Sequence, residues 1–141
     1  MRRHLVVAHQ TLGSAELHDV LRDRLAQGPS SFHLVVPFLH GGTGALWAEG
    51  EARHLAAEHL EEARMRFTAE GFPVTGEVGD ANPVLAVSDV MIREGDDTFD
   101  EIIISTLPLG ISKWIHMDVP ARVMRSTTKP VTHVVAVHAN A

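Results

Sequence analysis

Residues 100–131, which decide the fold, read DEIIISTLPLGISKWIHMDVPARVMRSTTKPV. An acidic pair precedes the run Ile102–Ile104, whose β-branched apolar side chains are typical of a strand buried on both faces. A loop with proline and glycine follows, then a short helical pattern that opens near Asp118 and Pro120, and then an apolar run that starts after Pro130. This order predicts a βαβ unit. Because ligands bind at the carboxyl ends of strands in open parallel sheets, we expect a binding site in the loop after the first of these strands.

The rest of the chain continues the alternation of strands and helices. The predicted strands are His4–Ala8, Phe32–Phe38, Val74–Val78, Glu101–Ser105 and Val131–Val137. The predicted helices run from the N-cap Ser14 to Gly28, from about Glu49 to Gly71, from the N-cap Asn82 through Pro83, and from near Asp118. We therefore predict one α/β domain with a doubly wound, Rossmann-like open parallel sheet of five strands, helices on both faces and right-handed crossovers.

The composition excludes several classes of protein. The length of 141 residues fits one domain spanning 1–141, and the chain contains no cysteine for disulfides, thiol catalysis or metal binding. A formal net charge of −6 argues against nucleic acid as a partner. No apolar run approaches the roughly 18 residues of a membrane span, and the apolar run after Arg2-Arg3 is too short for a signal peptide. We expect a cytoplasmic protein that contacts neither nucleic acid nor membrane.

Three segments give the chain a resemblance to the universal stress protein superfamily. They are GDANP at 79–83, DEIII at 100–104 and VPARVMRSTTKPV at 119–131, and the resemblance extends over essentially the whole chain. It implies the strand order 3-2-1-4-5 and frequent homodimers. Many members of the family bind ATP, and others do not.

The loop after the fourth strand departs from the pattern of the ATP-binding members, which is Gly-x2-Gly-x9-Gly-(Ser/Thr). The matching positions here are Ser105, Pro108 and Met117-Asp118, with a spacer one residue shorter. The glycines of the motif let backbone N–H groups approach phosphate, whereas Pro108 has no N–H to donate. A carboxylate at Asp118 would repel a triphosphate. We therefore expect no cofactor; ATP or another adenine nucleotide in an altered pocket is the alternative.

Further positions belong to the same candidate pocket. The resemblance implies an Asp at the end of the first strand that contacts the nucleotide, and either His9 or Gln10 stands there. We also place Val36, Thr106 and Val119 in this vestigial or altered pocket. Asp118 has a simpler interpretation as a helix-capping carboxylate, which we prefer to a role as a polar group in a remodelled pocket.

Catalysis and metal binding have weaker signals. Ser105 or Thr106 could serve a small-molecule hydrolase, but no Gly-x-Ser-x-Gly elbow surrounds them. His54 and His59 lie five residues apart, so they do not share a helix face, and we predict no metal site. Trp114 is expected in a loop, packing over the pocket or a dimer surface. The stretch 41–44 lacks the ending of a P-loop, and we expect a mobile loop there.

The function that these observations favour is a non-catalytic binding module for stress response or regulation. It would act through protein or small-ligand contacts and would not bind ATP in the family manner. The apolar fifth strand, Val131 to Val137, would lie at the edge of the sheet. An uncovered edge of this kind invites pairing, so we expect a homodimer through that strand.

Overall fold

The computed structural model describes residues 1–39, 46–108, 110 and 112–137. Within them the elements alternate as predicted: β1 (Arg2–Val7), α1 (Ala15–Gln27), β2 (Ser30–Pro37), α2 (Leu46–Ala69), β3 (Val74–Gly79), α3 (Pro83–Glu94), β4 (Glu101–Thr106), α4 (Lys113–His116), α5 (Val119–Ser126) and β5 (Val131–Val135). The glycine-rich stretch 41–44 lies outside the described residues. No helix in the described part of the chain has the length and hydropathy of a membrane span.

The five described strands form one parallel sheet in the order β3-β2-β1-β4-β5, which confirms the predicted fold class and strand order. Every neighbouring pair is parallel. The central strands are buried on both faces, as the run Ile102–Ile104 predicted. Helices α1 and α2 pack on one face, and α3 and α5 pack on the other. This double winding places the switch in chain direction between β1 and β4, where ligands bind in such sheets.

Local signals in the sequence set most helix boundaries. The Ser14 hydroxyl accepts a hydrogen bond from the N–H of Leu17 (3.1 Å), and the Asn82 side chain accepts one from the N–H of Val84 (3.0 Å). Both predicted N-caps are therefore confirmed. The sequence missed α4, a single turn that includes Trp114, so the expectation that Trp114 lies in a loop is wrong. The strand β5 ends at Val135, two residues before the predicted end.

A buried polar cluster ties the sheet to α1 at the amino ends of the strands. The carboxylate of Glu101, at the start of β4, accepts two hydrogen bonds from Arg24 of α1 (2.8 and 2.9 Å). It is also bonded to His4 of β1 (2.8 Å) and accepts from the hydroxyl of Thr132 in β5 (2.5 Å). Glu101 is only 4 % exposed, so this carboxylate depends on these partners for its charge.

Candidate functional site

A cavity of about 500 Å³ opens at the carboxyl ends of the strands, at the switch between β1 and β4. This volume lies in the range of small-molecule sites. Its lining combines the exit segments of β1 to β4 with α4. The described lining residues are His9, Gln10, Thr11, Leu39, Asp80, Ala81, Asn82, Ser105, Thr106, Leu107, Ser112, Lys113, Trp114 and Met117.

His9 lines the cavity, but both of its ring nitrogens form hydrogen bonds with other residues of the protein. Its Nδ1–H donates to the carbonyl of Pro37 (2.9 Å), because a carbonyl only accepts. Its Nε2 therefore accepts from the Nδ1–H of His59 on α2 (2.9 Å). Burial lowers the pKa of His9, and the charge of His59 lowers it further, against an opposing effect of the Pro37 carbonyl. A neutral His9 leaves polar contacts with a ligand to its exposed neighbour Gln10.

Paired hydroxyl groups form the floor of the cavity. The hydroxyls of Thr11 and Ser105 are hydrogen-bonded at 2.6 Å, and the Thr106 hydroxyl lies 2.8 Å from Nε2 of His133. Thr11, Ser105 and Thr106 are each at most 2 % exposed. Ser105, one of the two nucleophile candidates in the sequence, thus has a hydroxyl rather than a base as its partner. The geometry gives Thr106 an imidazole instead, whose pKa burial lowers.

The two charged side chains of the described lining come from different parts of the fold. Lys113 begins α4, and Asp80 follows β3. Three strand spacings separate β3 from β4 in the sheet, which is about 14 Å. The Asp80 carboxylate accepts a hydrogen bond from the N–H of Asn82 (2.8 Å), so it also shapes the turn before α3.

Comparisons with known proteins identify the architecture. No protein-family model and no curated protein match the chain. Among solved structures, a universal stress protein from Archaeoglobus fulgidus is 18 % identical, with 95 % of this chain and 93 % of that one covered and a TM-score of 0.61. A universal stress protein in complex with cAMP is 20 % identical, with 96 % and 97 % covered and a TM-score of 0.58. An Arabidopsis thaliana universal stress protein family protein with AMP bound is 10 % identical, with 98 % and 94 % covered and a TM-score of 0.61.

This chain has the universal stress protein fold. At these identities the likeness concerns the fold, and the function has to be argued from the site.

Three residues of the loop after β4 stand at the positions of the family's glycine motif, namely Ser105, Pro108 and Met117. The Ser105 side chain belongs to the buried hydroxyl pair with Thr11. The Pro108 carbonyl accepts a hydrogen bond from the N–H of Ser112 (3.0 Å). Met117 lines the cavity with a side chain that is 40 % exposed. The structure thus brings Ser105 and Met117 to the cavity, whereas Pro108 is not among the described lining residues.

Asp118 stands at the N-cap position of α5, but its carboxylate makes no capping hydrogen bond. The preferred sequence interpretation, a capping carboxylate, is therefore wrong. The backbone of Asp118 is left-handed, with φ of 57°, and its side chain is exposed, 3.7 Å from the guanidinium of Arg125. The carboxylate therefore lies at the surface beside the side chain of Arg125, a residue of the last turn of α5. Asp118 is outside the described lining of the cavity.

Val36 and Val119 are core residues. Both are fully buried, on opposite faces of the sheet, and neither belongs to the described lining of the cavity. Their positions beside the site are set by packing. The described cavity residues that sequence reasoning missed are Thr11, Leu39, Asp80, Ala81, Asn82, Leu107, Ser112 and Lys113. The first six follow strand ends, a signal that was available, whereas Ser112 and Lys113 depend on the unpredicted helix α4.

The histidines of α2 point in different directions, as their spacing predicted. His54 pairs on the surface with Glu58 (2.9 Å), whereas His59 turns inward to His9. Among the described residues, no three histidine, aspartate or glutamate side chains come close enough together to hold a metal ion.

Proposed function

We propose that this protein is a divergent member of the universal stress protein superfamily, acting as a non-catalytic, cytoplasmic binding module. The fold and the strand order support membership. So does the structural match, which covers more than nine-tenths of the length of each of the three universal stress proteins compared above. The segments 79–83, 100–104 and 119–131 add sequence patterns at the elements that surround the cavity.

The protein does not bind ATP in the family manner, and the loop after β4 carries this proposal. A phosphate site needs backbone N–H groups that approach the ligand closely. Here the first motif position has the buried side chain of Ser105, the second has Pro108 with no N–H, and the third has Met117 at the cavity wall. The adjoining Asp118 adds a negative charge. Polyphosphate would therefore meet side chains and a carboxylate instead of backbone donors.

Calorimetric titration with Mg-ATP tests this proposal. We expect a dissociation constant no tighter than about 1 mM, or about −4 kcal/mol. A variant with Ser105→Gly, Pro108→Gly, Met117→Gly and Asp118→Ser is the matched comparison, and we expect weak binding to appear in it. Micromolar binding by the unaltered protein, or ATP retained through purification and seen by mass spectrometry, would contradict the proposal.

An adenine mononucleotide in the altered pocket is the second candidate. It is favoured by the description of solved proteins of this fold with AMP or cAMP bound and by a cavity large enough for a small molecule. Titration with AMP and with cAMP, beside the ATP titration, separates the two candidates. Micromolar binding of either mononucleotide without ATP binding would favour this second function.

We also propose a homodimer formed through β5. This strand is an edge of the described sheet; Val135 at its end is 39 % exposed, and Val137, two residues beyond it, is 65 % exposed. Edge strands with exposed apolar side chains pair readily. Light scattering at tens of micromolar should give the mass of a dimer, and Val135→Lys should give a monomer. Met65→Lys, which changes an exposed apolar side chain on α2, is the control and should leave the dimer intact.

Hydrolysis is the competing enzymatic function. The Thr106–His133 contact makes Thr106, rather than Ser105, the residue to test. In the described part of the chain no carboxylate orients His133, which supports a non-catalytic site. We expect no enzymatic turnover of p-nitrophenyl esters. Any background hydrolysis should persist in both Thr106→Val and His133→Phe. Turnover lost in both variants, with their folding intact, would establish an enzyme.

A further inference from the structure

The lining of the cavity includes a side chain suited to bind a negative charge. Lys113 supplies an ammonium group at the start of α4, and no carboxylate of the described residues lies within ion-pair distance of it. The other lysine of the chain, Lys129, differs in this respect, because it lies 3.6 Å from Asp97 and away from the cavity. The nearby amide of Gln10 adds hydrogen-bond donors to the lining.

The walls of the same cavity suit an apolar body. Trp114 comes from α4 and Met117 directly follows it, Leu107 comes from the exit of β4, and Leu39 and Ala81 come from the exits of β2 and β3. Trp114 is half-buried and packs against the core beneath α3 and α5, which fixes one side of its indole ring. An aromatic ring held in this way favours stacking with a planar ligand.

The charges limit the ligand to a single negative charge. The described lining has one lysine and one aspartate, so a second anionic group would approach Asp80 without a cation to meet it. The chain as a whole carries a formal charge of −6, which repels polyanions further. We propose that the cavity binds a small organic monoanion with a planar apolar body, for which Lys113 selects the charge and Trp114 contacts the body. This inference rests on the proposed function and names the ligand class of the same site.

Two dyes that differ mainly by one charge test the proposal. The probe 1-anilinonaphthalene-8-sulfonate is a monoanion with a planar naphthalene ring, and N-phenyl-1-naphthylamine is its neutral counterpart. In a Trp47→Phe background, Trp114 is the remaining tryptophan, so quenching of its fluorescence reports dye beside α4. We expect Lys113→Met to weaken binding of the sulfonate about five- to tenfold and to leave the neutral dye unchanged, because one charge-assisted contact is lost.

Two further variants locate the effect. Lys129→Met removes the same charge away from the cavity and should leave both affinities unchanged. Ala81→Leu fills the cavity wall without altering charge and should weaken both dyes, with a melting curve to show that the variant is folded. Equal loss of sulfonate binding in the two lysine variants, no loss in Lys113→Met, or full binding by folded Ala81→Leu would overturn the proposal. ATP binding would refute the proposed function separately, since the dye results do not depend on it.

Discussion

Replacing Glu101 with glutamine is expected to destabilise the protein and to make its free energy of unfolding less dependent on pH between pH 5 and pH 2. Burial by itself would raise the pKa of the Glu101 carboxyl. The hydrogen bonds from Arg24 and Thr132, the positive charge of Arg24 and the bond to His4 outweigh burial and lower this pKa from 4.5 to about 2. Glutamine preserves the shape of the side chain but removes the charge that these partners stabilise.

The size of the effect follows from this pKa. A fall from 4.5 to about 2 corresponds to about 3 kcal/mol of stabilisation by the ionised carboxyl. Because the folded pKa is the lower one, this stabilisation is fully present above the unfolded pKa and is lost as the pH falls through about 2. In Glu101→Gln, the Arg24 guanidinium loses its buried carboxylate partner and keeps its contact with exposed Asp23 and a long one with the Thr132 hydroxyl (3.5 Å). We therefore expect a loss of about 3 kcal/mol at pH 7, or a melting temperature lower by about 10 °C.

Urea denaturation followed by circular dichroism, at intervals from pH 7 to pH 2.5, measures this effect. The stability curves of the two proteins should converge at the acid end. Glu61→Gln is the control, because Glu61 pairs with Arg64 on the exposed surface of α2 and should tolerate the change at every pH. If Glu101→Gln is as stable as the unaltered protein at pH 7, or if the two curves run parallel to pH 2.5, the assignment of the Glu101 charge is wrong.

Three other changes have outcomes that the geometry predicts. Thermal denaturation should find Asp118→Gly at least as stable as the unaltered protein and Asp118→Ala less stable by about 1 kcal/mol, because left-handed backbone disfavours alanine; the reverse order would contradict this. Gly79→Ala should cost about 1–3 kcal/mol in urea denaturation, since its Cβ would lie 2.8 and 2.9 Å from side chains of β2 and α3, whereas Gly50→Ala, with open space, should not destabilise. The free energy of unfolding should fall as the pH drops below about 6.5, because His9 binds a proton in the unfolded chain more readily than in its buried position. The substitution His9→Gln should reduce the change of this free energy with pH between pH 7.5 and 5.5.

Part of the candidate site could be predicted from the sequence. The residues that were expected in the pocket and do line the cavity are His9, Gln10, Ser105, Thr106 and Met117. Each of them ends or follows a parallel strand, or precedes α5 along the chain. Those positions depend on chain order, which the alternation of strands and helices already gives.

Three other residues that were predicted in the pocket are not among its described lining residues, because their side chains are directed elsewhere. Val36 lies in β2 and Val119 begins α5, and both side chains are buried in the core. The Asp118 carboxylate makes no capping hydrogen bond and lies at the surface beside Arg125. A residue's position along the chain does not specify which way its side chain points after a turn, since one φ angle reverses it.

The sequence by itself determined the parallel sheet and its strands, because hydrophobic periodicity and capping residues are local properties of the chain. It also determined that the loop after β4 lacks the glycines of the ATP-binding pattern, since a missing residue type is visible without a structure. Only the tertiary structure decided which polar groups meet. The His9–His59 contact joins residues 50 apart, and the Thr11–Ser105 and His4–Glu101 contacts join residues 94 and 97 apart. Such pairs form where the crossovers bring strands together, and no local pattern encodes their distance or their hydrogen bonds.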